Sequence, residues 1–164
     1  MKRPIIAILF FTLFISVNDQ INAKIRKAPN FALFNLKGKL RTLTSLQKNH
    51  LVLSFWASYC KSCKREMSHL VELEKKYKRI KDIKLILINI DRDGKEKAQP
   101  ILNQLGIRNE CLLDIYQITA KKYISNLRVP AIFLLNKKKQ IVFKTIGENE
   151  KILLNLEKAI INLP

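Results

Sequence analysis

Two stretches of the chain, Leu51–Ala57 and Lys84–Ile90, are apolar along nearly their whole length rather than at every second residue. A strand with one wet face alternates, whereas a strand covered on both faces does not. Between them, from about Cys60 to Arg79, the apolar spacing at Cys63, Met67, Leu70 and Tyr77 is helical. Strand, helix, strand in that order calls for layers, with helices laid over a sheet.

The rest of the chain extends this pattern. Phe31–Phe34, a turn at Gly38 and Leu40–Thr42 read as an N-terminal hairpin. After Asp91-Arg92-Asp93-Gly94 a further helix is expected to run to Leu105, with Pro100 in its first turn and Gly106 capping its end. Cys111–Leu113 is a short strand and Ile118–Leu127 a helix. Ala131–Leu135 and Gln140–Ile146 form a hairpin about Lys137-Lys138-Lys139, read as a solvated turn, and Glu150–Ile161 is a closing amphipathic helix. The expectation is an α/β fold, a mixed sheet flanked by helices.

Composition removes the competing classes. At 48% hydrophobic the chain can bury enough surface to order itself, which excludes disorder. Four Gly and five Pro exclude collagen-like sequence, and three Cys are too few for a disulfide-stapled mini-protein. No repeat or linker interrupts the 164 residues, a length that fits one ordinary domain.

The N-terminus stands apart. Lys2 and Arg3 precede the unbroken apolar run Ile5–Val17, then polar Asn18-Asp19-Gln20 and Ile21-Asn22-Ala23 ending in a small residue. That order is a secretory signal over residues 1–23, or else an uncleaved N-terminal anchor. Either places residues 24–164, the expected folded domain, outside the cytosol in the periplasm or cell envelope. Removing the leader leaves 29 basic and 12 acidic residues, a net charge of +17. Scattered lysines of this kind suit an anionic membrane surface or acidic partners, and nucleic acid is not expected.

The chemistry is carried by Ser54-Phe-Trp-Ala-Ser-Tyr-Cys60-Lys-Ser-Cys63-Lys-Arg-Glu66. Cys60 falls where a helix begins, so unpaired N–H groups, the helix dipole and the nearby Lys61, Lys64 and Arg65 all favour its thiolate, the attacking species in disulfide exchange. Cys63, almost one turn on, can close onto Cys60 and release a trapped mixed disulfide. A zinc site would need two further ligands from Cys111, His50 and His69, none in a second close pair. A purely structural staple at this spacing would be labile. Glu66, three residues after Cys63 on nearly the same face, is either a proton carrier for Cys63 or a solvated helix glutamate.

Phe55-Trp56-Ala57 leading into Cys60-x-x-Cys63-Lys64-Arg65-Glu66, with Val129-Pro130 before Ala131–Leu135, resembles the thioredoxin superfamily, and within it the TlpA/ResA-like exported oxidoreductases. Ala28-Pro29-Asn30-Phe31, Asn89-Ile90-Asp91 with the extra central helix, Leu112-Leu113-Asp114 and the terminal hairpin and helix fit the same branch over residues 28–162. The resemblance implies Cys60 as attacking and Cys63 as resolving thiol, joined as a Cys60–Cys63 disulfide when oxidised. It also implies a cis Pro130 facing the pair and Val129 offering backbone bonds to an extended substrate. Trp56, packed beneath, and Tyr59 complete the implied substrate-binding set, and Glu66 matches a residue that tunes the thiols. The family's usual Trp before the first cysteine and Pro before the second are here Tyr59 and Ser62, so Ser62, with Lys61, is expected to tune the redox balance. Thioredoxin's buried Asp position is Ser54, which leaves Glu66 as the natural substitute.

The resulting expectation is a thiol-disulfide oxidoreductase, without cofactor or metal, that reduces protein disulfides and takes electrons from a membrane-borne donor. Apocytochrome c is one implied substrate, as in cytochrome c maturation, and the chain is expected to be a monomer. An oxidase or isomerase and a copper- or zinc-delivery module are the rivals. The Pro-x-x-x-Thr-x-x-Cys pattern of a peroxide-cleaving thiol is missing. Cys111 is expected as a buried strand residue, Asp114 as a strand end or helix cap, and His50 and His69 at the surface.

Overall fold

The computed structural model describes residues 26–46 and 48–164, so the leader assigned to residues 1–23 lies outside the described residues. Within them the elements run β1 (Ala32–Asn35), β2 (Leu40–Thr42), a single 3₁₀ turn (Thr44–Leu46), β3 (His50–Trp56), α1 (Lys61–Lys81) and β4 (Ile83–Asn89). They continue with α2 (Lys95–Gln104), β5 (Glu110–Leu113), α3 (Ile118–Tyr123), β6 (Ala131–Leu135), β7 (Ile141–Ile146) and α4 (Ile152–Ile161). The strands form one mixed sheet in the order β2-β1-β5-β4-β3-β6-β7.

The two alternation-free runs are β3 and β4, paired in parallel at the middle of the sheet with Leu53 opposite Ile86. Every residue of β3 is buried. Its side chains divide by parity, as strand geometry requires. Val52 and Trp56 face a core shared with Met67, Leu70, Ala98, Leu102 and Leu156, contributed by α1, α2 and α4. Leu51, Leu53 and Phe55 face the other core, closed by Ala120 and Tyr123 of α3. There Phe55, Tyr123 and Phe133 pack as an aromatic triad with centroids 5.1–5.8 Å apart. Helix α1 buries Cys63, Met67, Leu70 and Tyr77, the four positions read from its spacing. Among the described residues no helix is long and apolar enough to cross a membrane.

Four expectations are corrected. Pro100 is the sixth residue of α2, not part of its first turn. The Asp91–Gly94 turn closes tightly, with Gly94 N–H donating to Asp91 C=O and Ala98 N–H to Gly94 C=O, so the helix starts at Lys95. Pro100 is tolerated there on the solvent side, where a bend strains no core contact. Gly94, at φ +48°, is obligatory: a Cβ would lie 2.7 Å from Ile115 Cγ2. Helix α3 stops at Tyr123 because fully buried Ile124 turns extended, redirecting the chain towards Val129 and Pro130. His50 is 2% exposed rather than at the surface, since it opens a central strand, and burial, then Lys137, lowers its pKa. In the lysine turn, Lys139 donates to Asn49 C=O at 2.8 Å and is pushed down to about 8 by burial, so that turn is only partly solvated.

Candidate active site

Strand β3 ends at Trp56, and the turn Ala57–Tyr59 is closed by Cys60 N–H donating to Ala57 C=O at 3.1 Å. Cys60 is the N-cap of α1, at φ −85° and ψ 101°, and its sulfur accepts the Cys63 N–H at 3.1 Å. A sulfur therefore fills the place that Ser, Asp or Asn oxygens take at other helix starts. The Ser62 hydroxyl lies 3.6 Å from the same atom. Cys60 and Cys63 are joined as a disulfide, with Cα atoms 5.3 Å apart. Cys60 is 8% exposed and Cys63 only 1%, so the bond is reached through Cys60.

The turn is held from the neighbouring strand. Asp91, just past β4, accepts from Ser58 N–H at 2.8 Å and Ser58 Oγ–H at 2.9 Å, and from Asn89 Nδ2 at 2.7 Å. Ile90 N–H bonds Trp56 C=O, and Gln117 Nε2 donates to Ile90 C=O. Ser58, Asn89 and Asp91 fix the approach to Cys60, a role the sequence does not announce. The signal available was a polar Asn-x-Asp directly after an apolar strand, where both side chains are buried.

Across β3, Phe55 pairs with Ala131, which sets Pro130 beside the end of β3. The Val129–Pro130 peptide is cis. Gly147 N–H donates to Pro130 C=O at 2.7 Å, and the Val129 backbone has no hydrogen-bond partner among the described residues. Gly147 sits at φ +85°, with the Arg128 guanidinium filling the space a side chain would need. Tyr59 projects at 70% exposure. Trp56 is wholly buried at the end of β3, in the core that also holds Cys60 and Cys63.

Glu66 is partly buried, and its Oε2 is enclosed without a hydrogen-bond partner. Burial, then the charge of Glu148, raises its pKa to about 7, with Arg65 opposing. Arg65 itself pairs with Glu148 through Nη2. Ser54 is buried, so β3 supplies no carboxylate beneath the pair. Lys61 is exposed at the first turn of α1. Cys111 is a free, buried thiol of β5, pushed up to about 12 chiefly by burial. Asp114 caps α3, accepting from Thr119 and Ala120 N–H, and His69 is exposed. Among the described residues no three His, Cys, Asp or Glu side chains gather as metal ligands would.

Known proteins agree with this geometry. The AhpC/TSA family matches residues 25–144. The thiol-disulfide oxidoreductases ResA of Bacillus thuringiensis (strain Al Hakam) and of Bacillus anthracis are each 32% identical over 129 residues, 77% of this chain and 71% of theirs. A thiol-disulfide oxidoreductase from Bacteroides fragilis superposes with a TM-score of 0.69 at 27% identity, covering 81% of this chain and 98% of its own. The thioredoxin domain of a Bacteroides vulgatus thiol-disulfide oxidoreductase gives 0.68 at 19% identity, over 83% and 96%, a likeness of fold. With a redox pair capping α1 beside a mixed thioredoxin-like sheet, the chain belongs to the AhpC/TSA family, as a ResA-like thiol-disulfide oxidoreductase.

Proposed function

We propose that the protein reduces disulfides of proteins in the cell envelope, with Cys60 as nucleophile and Cys63 as resolving thiol. The observation that carries this reading is the Cys60 sulfur at the N-cap of α1, accepting the Cys63 N–H while Cys63 lies sealed beneath. In the reduced protein the Cys60 thiolate attacks a substrate disulfide, forming a Cys60–substrate bond and expelling one substrate thiolate, which takes up a proton. Cys63, having given its proton to Glu66, then attacks the Cys60 sulfur and expels the second substrate thiolate. Two electrons pass from the dithiol to the substrate, and a membrane-borne donor returns them.

Val129, with its open backbone beside cis Pro130, offers hydrogen bonds to an extended substrate, and exposed Tyr59 flanks that approach. Lys61 and Ser62 set the balance between thiolate and disulfide. Residues 1–23 act as leader or anchor, 24–164 as the exported, monomeric domain. The names of the ResA relatives support oxidoreduction at this pair, and apocytochrome c is the narrowest substrate we assign. The Ser62 hydroxyl beside Cys60, which stabilises the reduced form, is the one feature favouring an oxidase or isomerase instead.

A Cys63→Ser variant expressed in cells tests the reading, because it traps whatever Cys60 attacks. Recovery of cytochrome c or its assembly factors establishes the narrow function. A broad client set indicates general reduction, and no adduct at Cys60 overturns the proposal.

A further inference from the structure

Arg26, Lys27, Lys122 and Lys144 line a groove of about 530 Å³ over Tyr123 and Phe133, and no carboxylate among the described residues lines it. The ion pairs among the described residues use Arg41, Arg65, Lys75, Lys76, Lys84 and Lys137, and none of the four groove cations. Four positive charges are thus left without an ion-pair partner among the described residues, around an apolar floor. Exposed Val142 stands at its rim.

The groove runs from mid-sheet, where Lys144 opposes Phe133 and Phe133 opposes Leu53, to the end of the sheet opposite the disulfide. Strand β3 runs from His50 to Trp56, and Leu51 pairs with Leu135 while Phe55 pairs with Ala131. The Asn136–Gln140 turn is therefore at the start of β3, and Lys27 bridges Gln140 there while Ala28 N–H donates to Lys139 C=O. Exposed Lys138 adds to this pole, where Asp82 is held by Lys137. The length of β3 separates the pole from Cys60 by about 20 Å. The chain enters at Arg26, nine residues after the apolar run that ends at Val17. If the leader is retained, that span keeps Arg26 within about 30 Å of the bilayer.

The geometry points to the Arg26–Lys27–Lys122–Lys144 groove as the surface by which the protein lies on anionic lipid headgroups, leaving Cys60 and Cys63 directed into the compartment. This rests on the envelope location proposed above. An apolar floor ringed by cations suits the boundary between headgroup and acyl chain, and the position of Arg26 beside this groove, nine residues after the apolar run, favours a bilayer over an acidic polypeptide. Each cation contributes about fivefold to such partitioning.

The test uses the full chain with vesicles of phosphatidylcholine alone or with about one third phosphatidylglycerol, probed by a water-soluble lysine-acylating reagent. On anionic vesicles Lys27, Lys122 and Lys144 should lose reactivity several-fold and regain it at about 1 M salt, where the Debye length is about 3 Å. Lys122→Gln with Lys144→Gln should weaken that protection about 25-fold. Equal protection on neutral vesicles, no protection, or protection by polyglutamate as good as by anionic vesicles overturns the assignment. Alkylation of Cys60 in the same reduced samples should stay unchanged. Lost lysine protection with a reactive Cys60 sinks the surface alone, and an inert Cys60 sinks the redox reading.

Discussion

The Cys63 N–H donates to the Cys60 sulfur at 3.1 Å, so the residue proposed to resolve the mixed disulfide also polarises the one proposed to attack. A helix needs an acceptor at its N-cap, and here that acceptor is the sulfur proposed to react. The same bond that starts α1 favours negative charge on Cys60 once the disulfide opens.

Ser62 adds the second donor near that sulfur, at 3.6 Å. Ser62→Ala removes stabilisation of the thiolate, and hence of the reduced form. The Cys60 pKa should rise by a few tenths of a unit to about one, and the midpoint potential should fall by roughly 10–30 mV. Redox titration against glutathione measures it, and an unchanged or higher potential contradicts the role given to Ser62.

Asp91 holds the turn before Cys60 through two hydrogen bonds from Ser58 and accepts a third from Asn89 at the end of β4. Asp91→Ala leaves buried donors unpaired and should cost about 2–4 kcal/mol in denaturant unfolding. Disulfide exchange should slow in the folded variant as well, because the Cys60 loop loses its fixed position. A variant with full stability and full exchange rate would show the network to be idle.

Glu66 is raised from 4.5 to about 7, so the fold favours its protonated form. Its contribution to stability is then complete below about pH 4.5 and lost as pH rises through 7. Glu66→Gln stays neutral, so its melting temperature relative to the unsubstituted protein should climb between those limits. Glu148→Gln should shift the wild-type transition to lower pH and Arg65→Gln to higher pH, since the two charges act on Glu66 in opposite senses. Shifts in the same direction would contradict this electrostatic account.

Glu110 behaves inversely. Burial raises its pKa, but hydrogen bonds from Arg41, Lys84 and Asn35 outweigh that and hold it near 2. This stabilisation is present above about pH 4.5 and lost as pH falls towards 2. Glu110→Gln should flatten acid unfolding in that window while lowering stability at neutral pH, read by circular dichroism across pH.

Much of this was legible because burial on both faces and helical spacing leave plain marks. Leu51–Ala57 and the stripe Cys63, Met67, Leu70, Tyr77 locate β3 and the inner face of α1. Cys60 and Cys63 were legible from spacing and position alone. Pro100 misled because a proline tolerated on the solvent side of a helix resembles one at its start. His50 misled because its burial comes from the strands beside it and not from its own polarity. The Asp91–Ser58 contact joins residues 33 positions apart, and local pattern carries no information at that separation.

Limited alkylation of the reduced protein over a range of pH, mapped by mass spectrometry, tests the central claim most directly. The account predicts that Cys60 is modified first, with an apparent pKa below the roughly 8.5 of a free thiol, while Cys63 and Cys111 stay protected. Modification of Cys63 first, or a Cys60 that titrates like a free thiol, would contradict it.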